Sequence, residues 1–248
     1  LDKLHRNISE AFNLRSGEIV TLVGAGGKTT FMFTLAQELA SQGKKVITTT
    51  TTKIWVPANG ETERFIVDVE GNLPSNVFER HHHATCVTRV FRENLRDKAE
   101  GVNPQKIGEW LSALKPHCII VEADGARGKP FKAPASYEPV IPPDTTLYIP
   151  MVSVEVLGKK LTAEAAHRPE IVAKLTGINH GDKITASTVA KVLKHYLQMT
   201  PSQARSIVFV NKLLSEEDVK KVMPLAEHLK GEKIVFGDVH SKKFWKIT

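Results

Sequence analysis

The sequence predicts an α/β protein built on a mainly parallel sheet with helices on both faces, and three observations carry that reading. First, an apolar run at 19–23 enters a glycine-rich turn, and a helical pattern leaves it. Second, the pattern then returns to a strand at 45–49, and strand–helix–strand of this length is the unit of a parallel sheet. Third, later apolar runs at 118–121, 146–154, 206–210 and 233–236 are short, as strands covered on both faces should be, and helical stretches separate the last three.

Composition narrows the class. The 248 residues are enough for one large core, and 41% hydrophobic with 25% charged residues is ordinary for a globular chain. No apolar run approaches a membrane span, so no membrane partner is expected. The first residues alternate charged and apolar character, which does not read as a leader. The net charge of +7 suits nucleotides or an acidic partner. No arginine-rich stripe with interleaved aromatics is present, which argues against nucleic acid. Cys86 and Cys118, on strand candidates, read as buried free thiols and point to the cytoplasm.

In chain order, Leu4, Ile8 and Phe12 repeat at helical spacing, and Arg15-Ser16-Gly17 breaks that helix. Glu18 to Val23 is the first strand. The stretch Gly24-Ala25-Gly26-Gly27-Lys28-Thr29-Thr30 follows. Glycines let backbone approach a phosphate, and a helix N-terminus offers unpaired N–H groups to it. Lys28 would reach the β- and γ-phosphates, and the Thr29 hydroxyl would hold Mg²⁺. The usual phosphate loop begins with a glycine where Leu22 stands, so this loop is a shortened one. A dinucleotide loop would need a third glycine at 29, where Thr29 sits. The fold expected is therefore a three-layer, P-loop NTPase-like sheet binding ATP or GTP.

Phe31, Leu35 and Leu39 mark the next helix, which Gly43 ends. The second strand runs into Thr48 to Thr52 and Lys53. Threonine suits strands by its branching, but ligands sit at the carboxyl ends of parallel strands. Thr51, Thr52 and Lys53 are thus candidates for metal, phosphate or substrate. Strands are expected at 65–69 and 85–90, with His81 to His83 between them in an exposed loop. Ile107, Trp110, Leu111 and Leu114 give a helix stopped by Pro116.

The strand at 118–121 ends in Glu122 and Asp124, two residues apart and hence on one side. Carboxylates so placed bind Mg²⁺ or orient an attacking group. Arg127, between Gly125 and Gly128, sits on a loop able to sense a γ-phosphate. A proline-rich segment from Lys129 to Pro142 is expected to cover the site, with Lys132 a candidate for an anionic substrate. Helices are expected at 162–175 and 185–197, in a small helical insertion spanning 155–200. Within it His167-Arg168 precedes Pro169, either to bind an anion or to begin a helix. The strand at 206–210 ends in Asn211-Lys212, which can cradle a base, but Leu214 stands where a guanine-reading Asp would. Val219, Val222, Leu225 and Leu229 give the final helix, and the strand at 233–236 closes the chain. No linker or repeat divides it, so residues 1–248 read as one domain.

Several stretches resemble the YqeC family: the glycine loop from Val23 to Thr30, Thr49 to Ile54, Glu122 to Gly128, Phe131 to Pro134, His167 to Glu170, and the Asn211-Lys212 strand end. That resemblance implies an accessory protein for selenium-dependent molybdenum hydroxylases, acting in maturation of their cofactor, with a molybdenum hydroxylase or its maturation proteins as partners. The loop is also similar to that of Mur ligases, whose glycines and Lys-Thr-Thr bind ATP. The residues leave three activities open. One is an Mg²⁺-dependent nucleoside-triphosphate hydrolase, with Lys28, Glu122, Asp124 and Arg127 catalytic. Another is an ATP-dependent ligase or kinase acting on a small anionic or pterin substrate. The third is a nucleotide-gated scaffold.

Overall fold

The computed structural model describes residues 3–247. The chain opens with α1 (Ile8–Ala11), β1 (Glu18–Gly24), α2 (Lys28–Ala40) and β2 (Val46–Thr50). Next come the short β3 (Lys53–Trp55), then β4 (Arg64–Val67), β5 (His83–Val87), β6 (Arg89–Glu93) and β7 (Arg96–Glu100). Helix α3 (Pro104–Leu114) leads to β8 (Cys118–Glu122), β9 (Phe131–Lys132), β10 (Leu147–Ser153) and β11 (Ala166–His167). The last third holds α4 (Pro169–Thr176), α5 (Ala186–Leu197), β12 (Arg205–Ser206), β13 (Val208–Asn211), α6 (Glu216–His228), β14 (Ile234–Asp238) and β15 (Lys243–Ile247).

The central sheet runs β15-β14-β13-β10-β1-β8-β2-β5-β4, with β12 beside β10, and only the β14–β15 pair is antiparallel. All residues of β1, β2, β8 and β10 are buried, which is why their sequences read as unbroken runs rather than alternating ones. Alternation reappears between the two faces. Val20 and Leu22 pack with α1 and α2, whereas Ile19 packs with α3 and Val23 with α5 and α6. Helices thus cover both faces and make three layers. Capping fixes several helix starts: the Asn103 side chain accepts from Gln105 N before Pro104, and Thr185–Thr188 and Ser215–Asp218 close capping boxes.

In the 155–200 segment, α5 packs against α6 and β10 and so helps line the core. The helix expected at 162–175 is shorter. Residues 162–167 form turns and β11, and the helix starts only at Pro169, because a residue before proline is driven out of the helical region. Arg168 there has a left-handed φ of +56°. The strand expected at 85–90 is two strands in two sheets, broken at Thr88. The N-terminal helix is one turn long, and Leu4 lies outside it, 38% exposed. His83 is not in an exposed loop: it is 1% exposed within β5, and its Nε2 meets Thr48 Oγ1 at 2.9 Å. Burial, only partly opposed by Glu63, pushes its pKa down to about 4, so the ring is neutral. The chain also continues past 233–236 into β15, which turns back antiparallel. Cys86 and Cys118 are buried free thiols whose pKa values burial raises.

Candidate functional site

The strand order reverses at β1. Its neighbours β8 and β10 are reached by different crossovers, and such a switch point opens a crevice at the carboxyl edge of the sheet. The registers Leu22↔Glu122 and Gly24↔Met151 bring the ends of β1, β8 and β10 to one level. The glycine loop crosses that edge. Gly26 has φ +91° and lies against the Ser153 backbone, where any Cβ would collide. Gly27, φ +112°, is the N-cap of α2, and a Cβ there would come 2.6 Å from Asn211 Nδ2. Glycine at both positions answers the steric demand and the left-handed backbone at once. No side chain caps α2, so the first N–H groups of that helix are left to the groove.

Lys28 starts α2 and bends back to the sheet. Its Nζ donates to Gly24 O at 2.7 Å and lies 3.2 Å from Asp124 Oδ1 and 3.5 Å from Glu122 Oε1. Thr29 Oγ1 donates to Glu122 Oε2 at 2.7 Å. Asp124 is fully buried: its Oδ2 accepts from Gly24 N and Tyr196 Oη, each at 3.0 Å, and pairs with Lys132 Nζ at 3.1 Å. Burial works to lower the Lys28 pKa, but Asp124 and then Glu122 outweigh it, and the ammonium is held raised. Burial lifts the Glu122 carboxyl further than Lys28 and Thr29 bring it down. A cation arriving at Glu122 would reverse that balance.

The ionic chain continues outward. Lys132 Nζ donates to Gly125 O and to Glu138 Oε2, both at 2.8 Å, and Arg168 Nη1 reaches the same Glu138 oxygen at 2.7 Å. Burial works to raise the Glu138 pKa, but Lys132 and Arg168 prevail and hold it low. Burial, with Arg168, Lys132 and Arg127 adding to it, lowers the His167 pKa and leaves the ring neutral at pH 7.

An open groove of about 1520 Å³ lies over this network. Gly26, Gly27, Lys28, Thr29, Thr30 and Glu122 line it around the loop. Thr51, Thr52, Lys53, Arg127, His167, Arg168 and Lys212 line it further out. Gly24, Ala25, Asp124, Lys132 and Asn211 do not reach it and stand behind. Lys132 is placed as an internal tie, its ammonium taken up by three acceptors. Asn211 holds the loop: its Nδ2 donates to Gly26 O at 2.8 Å and its Oδ1 accepts from Val239 N. The threonine run is similarly engaged, since Thr51 Oγ1 donates to Val140 O and Thr50 Oγ1 to Glu122 O. Lys212 pairs with Glu155 at 2.7 Å.

Mg²⁺ favours oxygen ligands and takes only one or two carboxylates, completing its shell with water and phosphate. Thr29 and Glu122 fit that donor set at the groove surface, while Asp124 fits as support beneath. No cluster of three or more His, Cys, Asp or Glu able to hold a metal by itself occurs among the described residues. Tyr196 and Glu138 were invisible to sequence reasoning as site residues. A tyrosine on the apolar stripe of α5 reads as core, and Glu138 sits in a segment without periodicity.

Fold and site together define a mostly parallel α/β protein with a glycine-lined strand-to-helix loop, a lysine on paired carboxylates, and a groove at the switch point. The model of the family described as YqeC protein matches residues 20–170. The chain is also 30% identical over 234 residues to the uncharacterized protein YqeC of Escherichia coli (strain K12), covering 89% of this chain and 87% of the relative. The chain belongs to the YqeC family. No helix among its described residues is long and apolar enough to cross a membrane.

Proposed function

We propose that this chain is a P-loop nucleoside-triphosphate-binding protein and an Mg²⁺-dependent hydrolase. The observation that carries the reading is the junction at α2. Lys28 and Thr29 leave a glycine turn that tolerates no Cβ, and both meet the carboxylate Glu122 on the neighbouring strand. The triphosphate would lie across the turn, with the α2 N–H groups and Lys28 on its oxygens. Thr29 and Glu122 would hold Mg²⁺, which supplies charge neutralisation and nucleophile activation when bound. Arg127, on the loop after β8, reaches the groove where a γ-phosphate would end. Lys212 is left for the base, and the absence of an acid at Leu214 leaves ATP and GTP equal candidates. The cellular setting we propose is the cytoplasm, in maturation of a selenium-dependent molybdenum hydroxylase cofactor.

The test is calorimetric titration with ATP and with GTP in Mg²⁺, followed by phosphate release. Losing a charge-assisted contact costs roughly 1.5–3 kcal/mol, so Lys28→Ala should weaken binding roughly 10- to 150-fold. Unchanged affinity in a Lys28→Ala protein that is folded by circular dichroism sinks the reading. A second reading, transfer to an acceptor, is favoured by the groove's size, which exceeds the roughly 300–1,000 Å³ of a single-ligand pocket. It expects little phosphate release until the acceptor is present.

A further inference from the structure

One wall of the groove has no part in holding the triphosphate. Strands β3, β7 and β6 form their own antiparallel sheet. Ile54 and Ala99 point to its inner face and join the core shared with α2. The pairings Trp55↔Lys98 and Glu93↔Arg96 therefore put Trp55, Arg96 and Lys98 on the opposite face, and all three line the groove. The Arg96 guanidinium lies 4.6 Å from the Trp55 ring centroid and Lys98 Nζ lies 5.1 Å from it. Lys98 is balanced by Glu93 at 2.8 Å, but Arg96 has no carboxylate partner among the described residues. Arg127 and Lys129, on the loop after β8, also line the groove and also lack an ion-pair partner among the described residues.

A guanidinium lying over a ring keeps its edge N–H donors available for an anion in its own plane. Arg96 and Lys98 both lie over the Trp55 ring, so what faces a ligand is a cation-covered aromatic platform, and Arg96 with Lys129 suits a doubly charged group better than a carboxylate. The wall belongs to the β2 side of the glycine loop, whereas Lys212 and His240 line the groove from the β13–β14 side. The groove volume accommodates a ligand on each side.

We propose that the Trp55–Arg96 wall is a second-ligand subsite for a planar heteroaromatic phosphate monoester, its ring stacked on the platform and its phosphate on Arg96 and Lys129, with Arg127 left to the γ-phosphate. Its role as acceptor beside a γ-phosphate rests on the nucleotide reading, but the binding itself does not. The probe is flavin mononucleotide, titrated calorimetrically into the full chain with and without a saturating non-hydrolysable ATP analogue and Mg²⁺. Riboflavin and inorganic phosphate supply the ring and the anion alone. The probe should bind in both conditions, and at least tenfold tighter than either half. Arg96→Gln and Trp55→Leu, checked for unchanged thermal melts, should each weaken it at least tenfold while ATP affinity stays within twofold. No binding to the wild type, equal binding of riboflavin, indifference to both substitutions, or displacement by the ATP analogue would each overturn the subsite. Failure of the nucleotide reading looks different: ATP gives no heat on the wild type while flavin mononucleotide still binds.

Discussion

Replacing Lys132 by methionine separates a ligand group from an internal tie. The Lys132 side chain is fully buried, and its ion-pair partners Asp124 and Glu138 are 0% and 8% exposed. The solvent screening that cancels most surface pairs therefore does not apply here. Breaking a buried pair by removing one partner costs roughly 3–5 kcal/mol, because a charge is left behind. In this site neither acid is abandoned. Arg168 stays on Glu138 at 2.7 Å, and Gly24 N, Tyr196 Oη and Lys28 stay on Asp124. The low end, about 3 kcal/mol, is therefore expected. In a chain of this size each kcal/mol moves Tm by roughly 2–4 °C, so Lys132→Met should melt about 6–12 °C lower by differential scanning calorimetry. ATP affinity should change by less than about tenfold, since the ammonium does not reach the groove. A melt within about 2 °C of wild type, together with lost anion binding, would show that Lys132 is a ligand group and that the internal network does not depend on it.

Acid should expose His83. Burial depresses its folded pKa to about 4, so between pH 6.5 and 4 the unfolded chain takes up a proton that the fold refuses. Stability is unaffected above that window and falls through it, by about 2 kcal/mol at pH 5. In urea titrations at pH 7 and pH 5, His83→Gln should lose less stability than wild type, and equal losses would refute the assignment. Asn211→Ala removes the clamp on Gly26 O. It should cost roughly 1–3 kcal/mol of stability and weaken ATP and GTP by the same factor, with a changed ATP-to-GTP ratio pointing instead to base contact. Glu122→Gln should make nucleotide affinity insensitive to EDTA, whereas wild-type affinity should fall when Mg²⁺ is removed. An unchanged Mg²⁺ dependence in Glu122→Gln would place the metal elsewhere.

What was legible in the sequence had a local cause. β1, β2, β8 and β10 are buried on both faces, so their apolar runs survive without context. The glycine loop was legible because left-handed backbone and close approach leave glycine almost alone. The β3–β7–β6 sheet was not legible: Arg96-Asp97-Lys98-Ala99-Glu100 is a strand carrying one buried residue, and only its pairing with Trp55 and Phe91 reveals a face. The positions of Lys132 and Asn211 behind the groove were not legible for a related reason. A lysine near a site and a strand-end asparagine look the same in sequence whether they face the groove or the core. The choice depends on partners such as Glu138 and Val239, far from any motif.

Charge arithmetic explains why a metal belongs in this reading. Lys28, Lys132 and Arg168 face Glu122, Asp124 and Glu138 in one connected set, three cations against three carboxylates. The lysine that a triphosphate would seek is therefore already neutralised by the protein. What remains for an anion at the glycine loop itself, inside the ring of outer cations such as Arg127 and Lys129, is the partial charge of the α2 N-terminus, roughly half an elementary charge. A divalent cation at Thr29 and Glu122 would change the balance twice over. It would add charge at a bound phosphate, and by occupying Glu122 it would release Lys28 from one of its two acids. Asp124 cannot be released in the same way, because the Gly24 N–H, Tyr196 and Lys132 hold it in place. The two carboxylates thus divide the work by burial. Glu122, at the groove surface, would exchange partners with a bound ligand, while Asp124 keeps the loop, the lysine and the outward ionic chain in register.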